Sequence, residues 1–204
     1  MVAMRMFYVG FPQARHRRPG TFGRPWLPCL MLIVILACST ASARGEVKNA
    51  AASGFTIENT RVVPVDAGTA FKALVESVHR WWPKDHSWWG REGALSIEPR
   101  AGGCFCERAG SREAMHMLVT FVDPGRLLRM TGGLGPLQGM GLQGALEFRF
   151  APAKDGTAIT LYYRVGGYTP DDLSTFAPVV DQVQGVQLGA LAEFLGAKPA
   201  ANQK

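Results

Sequence analysis

Two stretches in the C-terminal third, residues 142–150 and 157–165, alternate apolar and polar side chains, with an Asp155-Gly156 pair between them. In the first, Leu142, Gly144, Leu146, Phe148 and Phe150 share one parity, while Gln143, Glu147 and Arg149 take the other. In the second, Ile159, Leu161, Tyr163 and Val165 repeat the rule. A period of two gives one dry and one wet face, which is the pattern of an antiparallel sheet covered on one side, and Asp-Gly suits the hairpin turn that joins such strands. Residues 55–65, 94–98, 104–108, 114–122 and 127–131 are predicted as further strands. Two segments carry a helical period instead. In residues 67–79, Ala70, Phe71, Leu74, Val75 and Val78 recur at three and four, with Asp66 placed as the N-cap. In residues 173–195, Phe176, Val179, Val180, Val183, Val186 and Gln187 begin a stripe that Ala190, Leu191, Phe194 and Leu195 complete, and Gly196 stands at the stop. The expected class is α+β: a curved antiparallel sheet wrapped around a long C-terminal helix, with the space between them as the natural ligand site.

The N-terminal region has a different composition. Five arginines and no acidic residue precede an apolar run, 27–37, that is short for a bilayer span and suits the core of a signal peptide. Residues 1–43 are therefore expected to be an export leader. Ala41-Ser42-Ala43 fits ordinary signal cleavage, whereas Ile35-Leu36-Ala37-Cys38 resembles a lipoprotein box in which Cys38 is acylated. Either route gives an exported protein, periplasmic or lipid-anchored in the cell envelope, with membrane contact only through the leader or that anchor. The formal net charge of +6 includes the five leader arginines, so the remainder stands near +1 and nucleic-acid binding is not expected. Residues 44–53 are small and polar and are expected to be a linker. The domain proper is expected over 54–196, and 197–204 as a disordered tail.

Several strings in this order carry a family resemblance. Val63-Pro64-Val65-Asp66 runs into Ala70-Phe71 and Leu74; Trp81-Trp82-Pro83 follows the first helical stretch; Glu98-Pro99-Arg100-Ala101-Gly102-Gly103 precedes a strand; and Val122-Asp123-Pro124-Gly125-Arg126-Leu127 connects two others. With these, residues 55–195 resemble the START-like, or SRPBCC, superfamily, whose fold is the helix grip. The likeness is greatest to the branch named after the activator of heat-shock-protein ATPase and to polyketide cyclase-like proteins. The resemblance implies a helix-grip fold with a cavity, and leaves function open among carriers, receptors, cyclases and co-chaperones. An export leader departs from the co-chaperone members, whose partner would be cytosolic.

Four of the five tryptophans lie within residues 81–89, so a wall for a flat or greasy ligand is expected there, with core packing as the alternative. The predicted lining is Trp88, Trp89, Met117 and Phe148 from the loop and strands, Tyr163 from the last strand, and Val183 and Gln187 from the helix. His86 with Asp85, and His116 on its strand, are the candidates for moving protons; alternation would put His116 on one face with Leu118 and Thr120. Cys104 and Cys106 would share a face. As same-face neighbours two residues apart they are not expected to bridge easily; facing outward they are weak candidates for a soft metal or for oxidation, facing inward they are small cavity-lining hydrophobes, and since two thiols fall short of a metal set no metal and no cofactor is expected. Residues 132–141 are glycine-rich but lack the strand-to-helix context and lysine of a phosphate loop; Leu134, Leu137 and Met140 are expected to cover a cavity mouth. The leading expectation is a binder or carrier of a small hydrophobic or aromatic molecule. A cyclase-like enzyme using a cavity histidine is the second, and an envelope interaction module presenting its indoles is the third.

Overall fold

The computed structural model describes residues 46–198; the leader, Cys38 and most of the expected tail lie outside them. Eight antiparallel strands form one sheet: β1 (Glu46–Ala51), β2 (Gly54–Val63), β3 (Ala94–Ile97), β4 (Cys104–Ala109), β5 (Arg112–Asp123), β6 (Leu127–Thr131), β7 (Gln143–Ala153) and β8 (Gly156–Gly166). Their spatial order is β1-β2-β8-β7-β6-β5-β4-β3, so all but one of the contacts between neighbours are simple hairpins and β2–β8 is the single long return. The two alternating stretches pair as β7 and β8 in unbroken register from Gln143↔Gly166 to Ala153↔Gly156. Leu146, Phe148, Ile159, Leu161, Tyr163 and Val165 are all buried, as the parity requires.

The helical segments are α1 (Ala67–Glu76), α2 (Val78–Trp81), a short α3 (Pro136–Gly139) and α4 (Ala177–Phe194). Asp66 caps α1, its carboxylate accepting from Thr69 N at 2.9 Å. Ala70, Phe71, Leu74 and Val75 turn inward, and each such side chain, fully buried, contributes about 1.5–3 kcal/mol of apolar transfer in the case of leucine or phenylalanine. The stretch expected as one helix to residue 79 breaks at Ser77, where α2 begins. Asp172 likewise caps a separate 3-10 turn, Leu173–Thr175, before α4 starts with Pro178 in its first turn.

Three expectations are corrected. The sheet is not curled or closed: it ends in two free edges, β1 and β3, that do not pair with each other. It is not wrapped around the final helix, because α4 packs over β2 and β1 at one end while α1 and α2 take up other parts of the same layer. The segment 44–53, expected as a linker, instead supplies β1, which pairs with β2 from Glu46↔Glu58 to Ala51↔Gly54. β1 is almost wholly exposed, so no apolar alternation announces it. The buried face of α4 is also rotated from the expected stripe: Ala177, Gln184, Gln187, Leu188, Leu191 and Ala192 are buried, whereas Val179, Val186 and Phe194 are exposed.

The contact between α4 and β2 is close and partly polar. Asn59, on β2 and 1 % exposed, donates to Asp181 Oδ1 at 2.8 Å, and Gly185 lies over the same asparagine. Burial pushes the Asp181 carboxyl up, against the opposing effects of the Asn59 hydrogen bond and the nearby Arg61.

Pairing of β1 has a direct kinetic consequence. In hydrogen exchange followed by mass spectrometry, peptides covering residues 46–51 are expected to exchange well below the unstructured rate; exchange at that rate would mean a tether.

Candidate functional site

A hollow of about 430 Å3 lies against the inner surface of α4. Its helix side is Phe176, Val179, Val180, Val183, Gln184 and Gln187; a second side is formed by Leu134, Pro136, Leu137 and Met140 from the glycine-rich connection; and its far wall comes from the tryptophan loop and His116. The loop contributes Trp82, Asp85, His86, Ser87 and Trp88. The volume falls within the range of small-molecule sites, and the walls are mainly apolar. The exposure of Val179 at 60 % fits this placement: it is an apolar helix residue facing space rather than protein.

Glu107 organises the far wall. It is 0 % exposed, on β4, and a carboxylate in that position is strongly disfavoured unless donors surround it. Trp88 N donates to its Oε2 and Trp89 N to its Oε1, each at 3.0 Å, so the carboxylate holds the backbone of the tryptophan loop. His116 Nε2 lies 3.0 Å from the same Oε2. Gly93 closes over the group: any side chain there would overlap Glu107 Oε1, which is why this position tolerates only hydrogen.

His116 reaches the site through a bulge. β4 and β5 pair Phe105↔Met117 and Cys106↔Met115, which leaves His116 as the extra residue. Two consecutive residues, His116 and Met117, are consequently buried, and the expected companions of His116, Leu118 and Thr120, stay on the exposed face. A bulge re-aims a side chain at the cost of a local break in the ladder. The imidazole stacks at 5.0 Å from Phe105, which in turn meets Trp82 at 5.1 Å. Burial holds the His116 pKa below its ordinary value, against the raising influence of Glu107. The ring is therefore neutral at pH 7. Since Glu107 accepts from two backbone amides, the imidazole proton sits on Nε2 and leaves Nδ1 as an acceptor.

The glycine-rich connection is held by Tyr163. Its hydroxyl donates to Gly132 O and accepts from Leu134 N, both at 3.0 Å, and burial raises its pKa to about 12. The expected lining is thus divided. Trp88, Val183 and Gln187 line the hollow together with Asp85, His86 and His116, as do Leu134, Leu137 and Met140. Met117, Phe148 and Tyr163 are core residues instead. Trp89 does not line the hollow; it is half-buried, with the Arg112 guanidinium 5.4 Å from its ring. Glu107 and Gln184 were absent from the expected site, although both are polar residues within apolar patterns, the one signal that could have marked them.

Cys104 and Cys106 are joined by a disulfide, contrary to expectation. Their Cα atoms are 5.4 Å apart, closer than two steps of extended strand. Among the described residues no group of three or more histidine, cysteine or acidic side chains is arranged to hold a metal ion, and no helix is long and apolar enough to cross a membrane.

No family model matches this chain, and no curated protein matches it. Solved structures do resemble it at low identity. A protein from Rhodobacter sphaeroides superposes with a TM-score of 0.51 and 15 % identity over 74 % of this chain and 98 % of its own. A Mesorhizobium loti protein gives 0.50 and 17 %, over 69 % and 96 %, and one from Staphylococcus saprophyticus 0.50 and 17 %, over 72 % and 97 %. These likenesses concern the fold alone: an antiparallel sheet with a C-terminal helix, loosely of the helix-grip kind, without a specific family. Such an architecture is compatible with small-molecule binding in general.

Replacing Glu107 with Gln keeps the shape but puts an amide N–H2 among three donors. E107Q is expected to lower stability by about 3 kcal/mol in urea unfolding and to shift tryptophan emission to the red as the loop loosens. A change below about 0.5 kcal/mol with unaltered emission would show that the carboxylate does not hold the loop.

Proposed function

We propose that this domain binds a small, mainly apolar molecule in the hollow beneath α4, and that it acts as a binder or carrier in the cell envelope. The observation that carries the reading is a mostly apolar space walled by Trp82, Trp88 and Phe176 and by Val179, Val180 and Val183 of α4, adjoining the hydrophobic core. Apolar surface left facing such a space gains transfer free energy when a guest covers it, about 25 cal/mol per Å2. The envelope placement rests on the leader read from residues 1–43, with Cys38 as the attachment point if the lipoprotein route is taken.

The test is binding of the neutral fluorescent probe N-phenyl-1-naphthylamine. Saturable binding is expected, and Val183→Trp, which fills the hollow from the helix side, is expected to weaken it by about tenfold or more while leaving the melting temperature near that of the parent. Absence of saturable binding, or a V183W variant that binds as well as the parent, would contradict the proposal. Native mass spectrometry of protein purified from its own envelope fraction would identify a retained guest.

A second reading, a proton-moving enzyme, is favoured by one observation: a neutral, buried His116 backed by Glu107 at the cavity wall. In that role Nδ1 would take a proton from a bound substrate and Glu107 would stabilise the resulting imidazolium. The binding reading takes precedence because the Glu107 carboxylate is already engaged by two backbone amides, which accounts for its presence structurally. Chemical change in a retained guest would reverse that order.

A further inference from the structure

The hollow has unused polar atoms at its edge. Gln184 and Gln187 sit three residues apart on α4, hence on one face of the helix, and are 1 % and 5 % exposed. The Oε1 atom of each is buried and accepts no hydrogen bond, and His86 Nδ1 is buried without a partner as well. All three residues line the hollow. Buried polar atoms are nearly always paired, so three unpaired ones around a single space indicate what that space is built to receive. His116 adds a fourth acceptor through Nδ1, because its Nε2 is engaged by Glu107. Among the described residues no lysine or arginine lines the hollow; its acidic groups are Asp85 in the lining and Glu107 behind His116.

We infer that the guest is a neutral apolar molecule bearing a hydroxyl, a phenol or alcohol, whose O–H is received by the Gln184, Gln187, His86 and His116 cluster, and that the same cluster rejects carboxylates. An anionic head would meet acceptors and negative charge with no cation to balance it. An ammonium could donate but not accept, whereas each glutamine also presents an amide N–H2. A hydroxyl does both, and it suits either orientation of the two amides. The inference rests on the binding reading above and sharpens it to a ligand class.

Three probes on one skeleton separate the alternatives: naphthalene, 2-naphthol and 2-naphthoate, titrated calorimetrically against the protein at neutral pH. 2-Naphthol is expected to bind about tenfold tighter than naphthalene, and 2-naphthoate more weakly than either. The Gln184→Leu/Gln187→Leu double variant is expected to bring 2-naphthol down to the affinity of naphthalene while changing naphthalene binding by no more than about twofold. Should thermal melting show the double variant unfolded, Gln187→Met alone is expected to remove part of the preference. The inference is overturned if 2-naphthol binds no tighter than naphthalene, as it would were water alone to satisfy the cluster. It is equally overturned if 2-naphthoate binds best, or if the preference survives the glutamine substitutions. In each of those cases the hollow remains a binding site; failure of all three probes to bind removes the binding reading and this inference together.

Discussion

A charged carboxylate with no solvent contact has to be surrounded by donors, and the way Glu107 meets that requirement determines the far side of the molecule. Two of its partners are successive backbone amides of the tryptophan loop and the third is an imidazole nine residues further along the chain, on the neighbouring strand β5. One residue therefore ties three separate segments, β4, β5 and the loop, to a single point. The loop contains little regular structure beyond two short 3-10 turns, Lys84–His86 and Gly90–Glu92, so its position depends on such ties rather than on a ladder of its own. Trp82 contributes a further one, its indole N–H donating to His86 O at 2.9 Å. The consequence is a wall held off the helix rather than collapsed onto it.

On the opposite side the helix is held by different means. Asn59 and Asp181 fasten α4 to β2, and Leu188, Leu191 and Ala192 bury its C-terminal half. The same first half of α4 that carries Asp181 also lines the hollow, through Val179, Val180 and Val183. Tyr163 completes the enclosure by fixing the glycine-rich connection through both its donor and its acceptor capacity. Each boundary of the hollow is thus anchored to the sheet by a buried polar group, while the surfaces it presents inward are mostly apolar. This combination lets a cavity persist without the boundary elements closing over it, at the cost of the contacts the valines forgo.

The strand parity of β7 and β8, the Asp66 cap and the final helix were legible because each leaves a local signal: alternation, a capping residue, or a repeat at three and four. Parity separates inside from outside but cannot say which part of the interior is packed and which is hollow. Met117, Phe148 and Tyr163 therefore fell on the expected inner side without reaching the cavity. The His116 bulge depends on the register between β4 and β5, a long-range property with no mark in the local pattern, so strict alternation assigned His116 to the wrong face. β1 was illegible for the opposite reason: an edge strand with only Val47 half-buried has the composition of a tether. The open form of the sheet likewise follows from which edges pair, and the family likeness of the strings suggested a curvature that the strand order does not bear out. On α4, weight given to apolarity found Val183 and Gln187 but overlooked Gln184, the more deeply buried of the two glutamines.

The central claim is that a buried carboxylate accepts from the amides of Trp88 and Trp89, which keeps the loop in place, and from a neutral His116 with its proton on Nε2. Long-range 1H–15N NMR of the histidine side chains, recorded across a pH titration, observes this directly. The account predicts that His116 is the Nε2–H tautomer at pH 7 and gains its second proton only below the ordinary histidine value of about 6.5. A ring protonated on Nδ1 at pH 7, or one that titrates at or above the ordinary value, would contradict it.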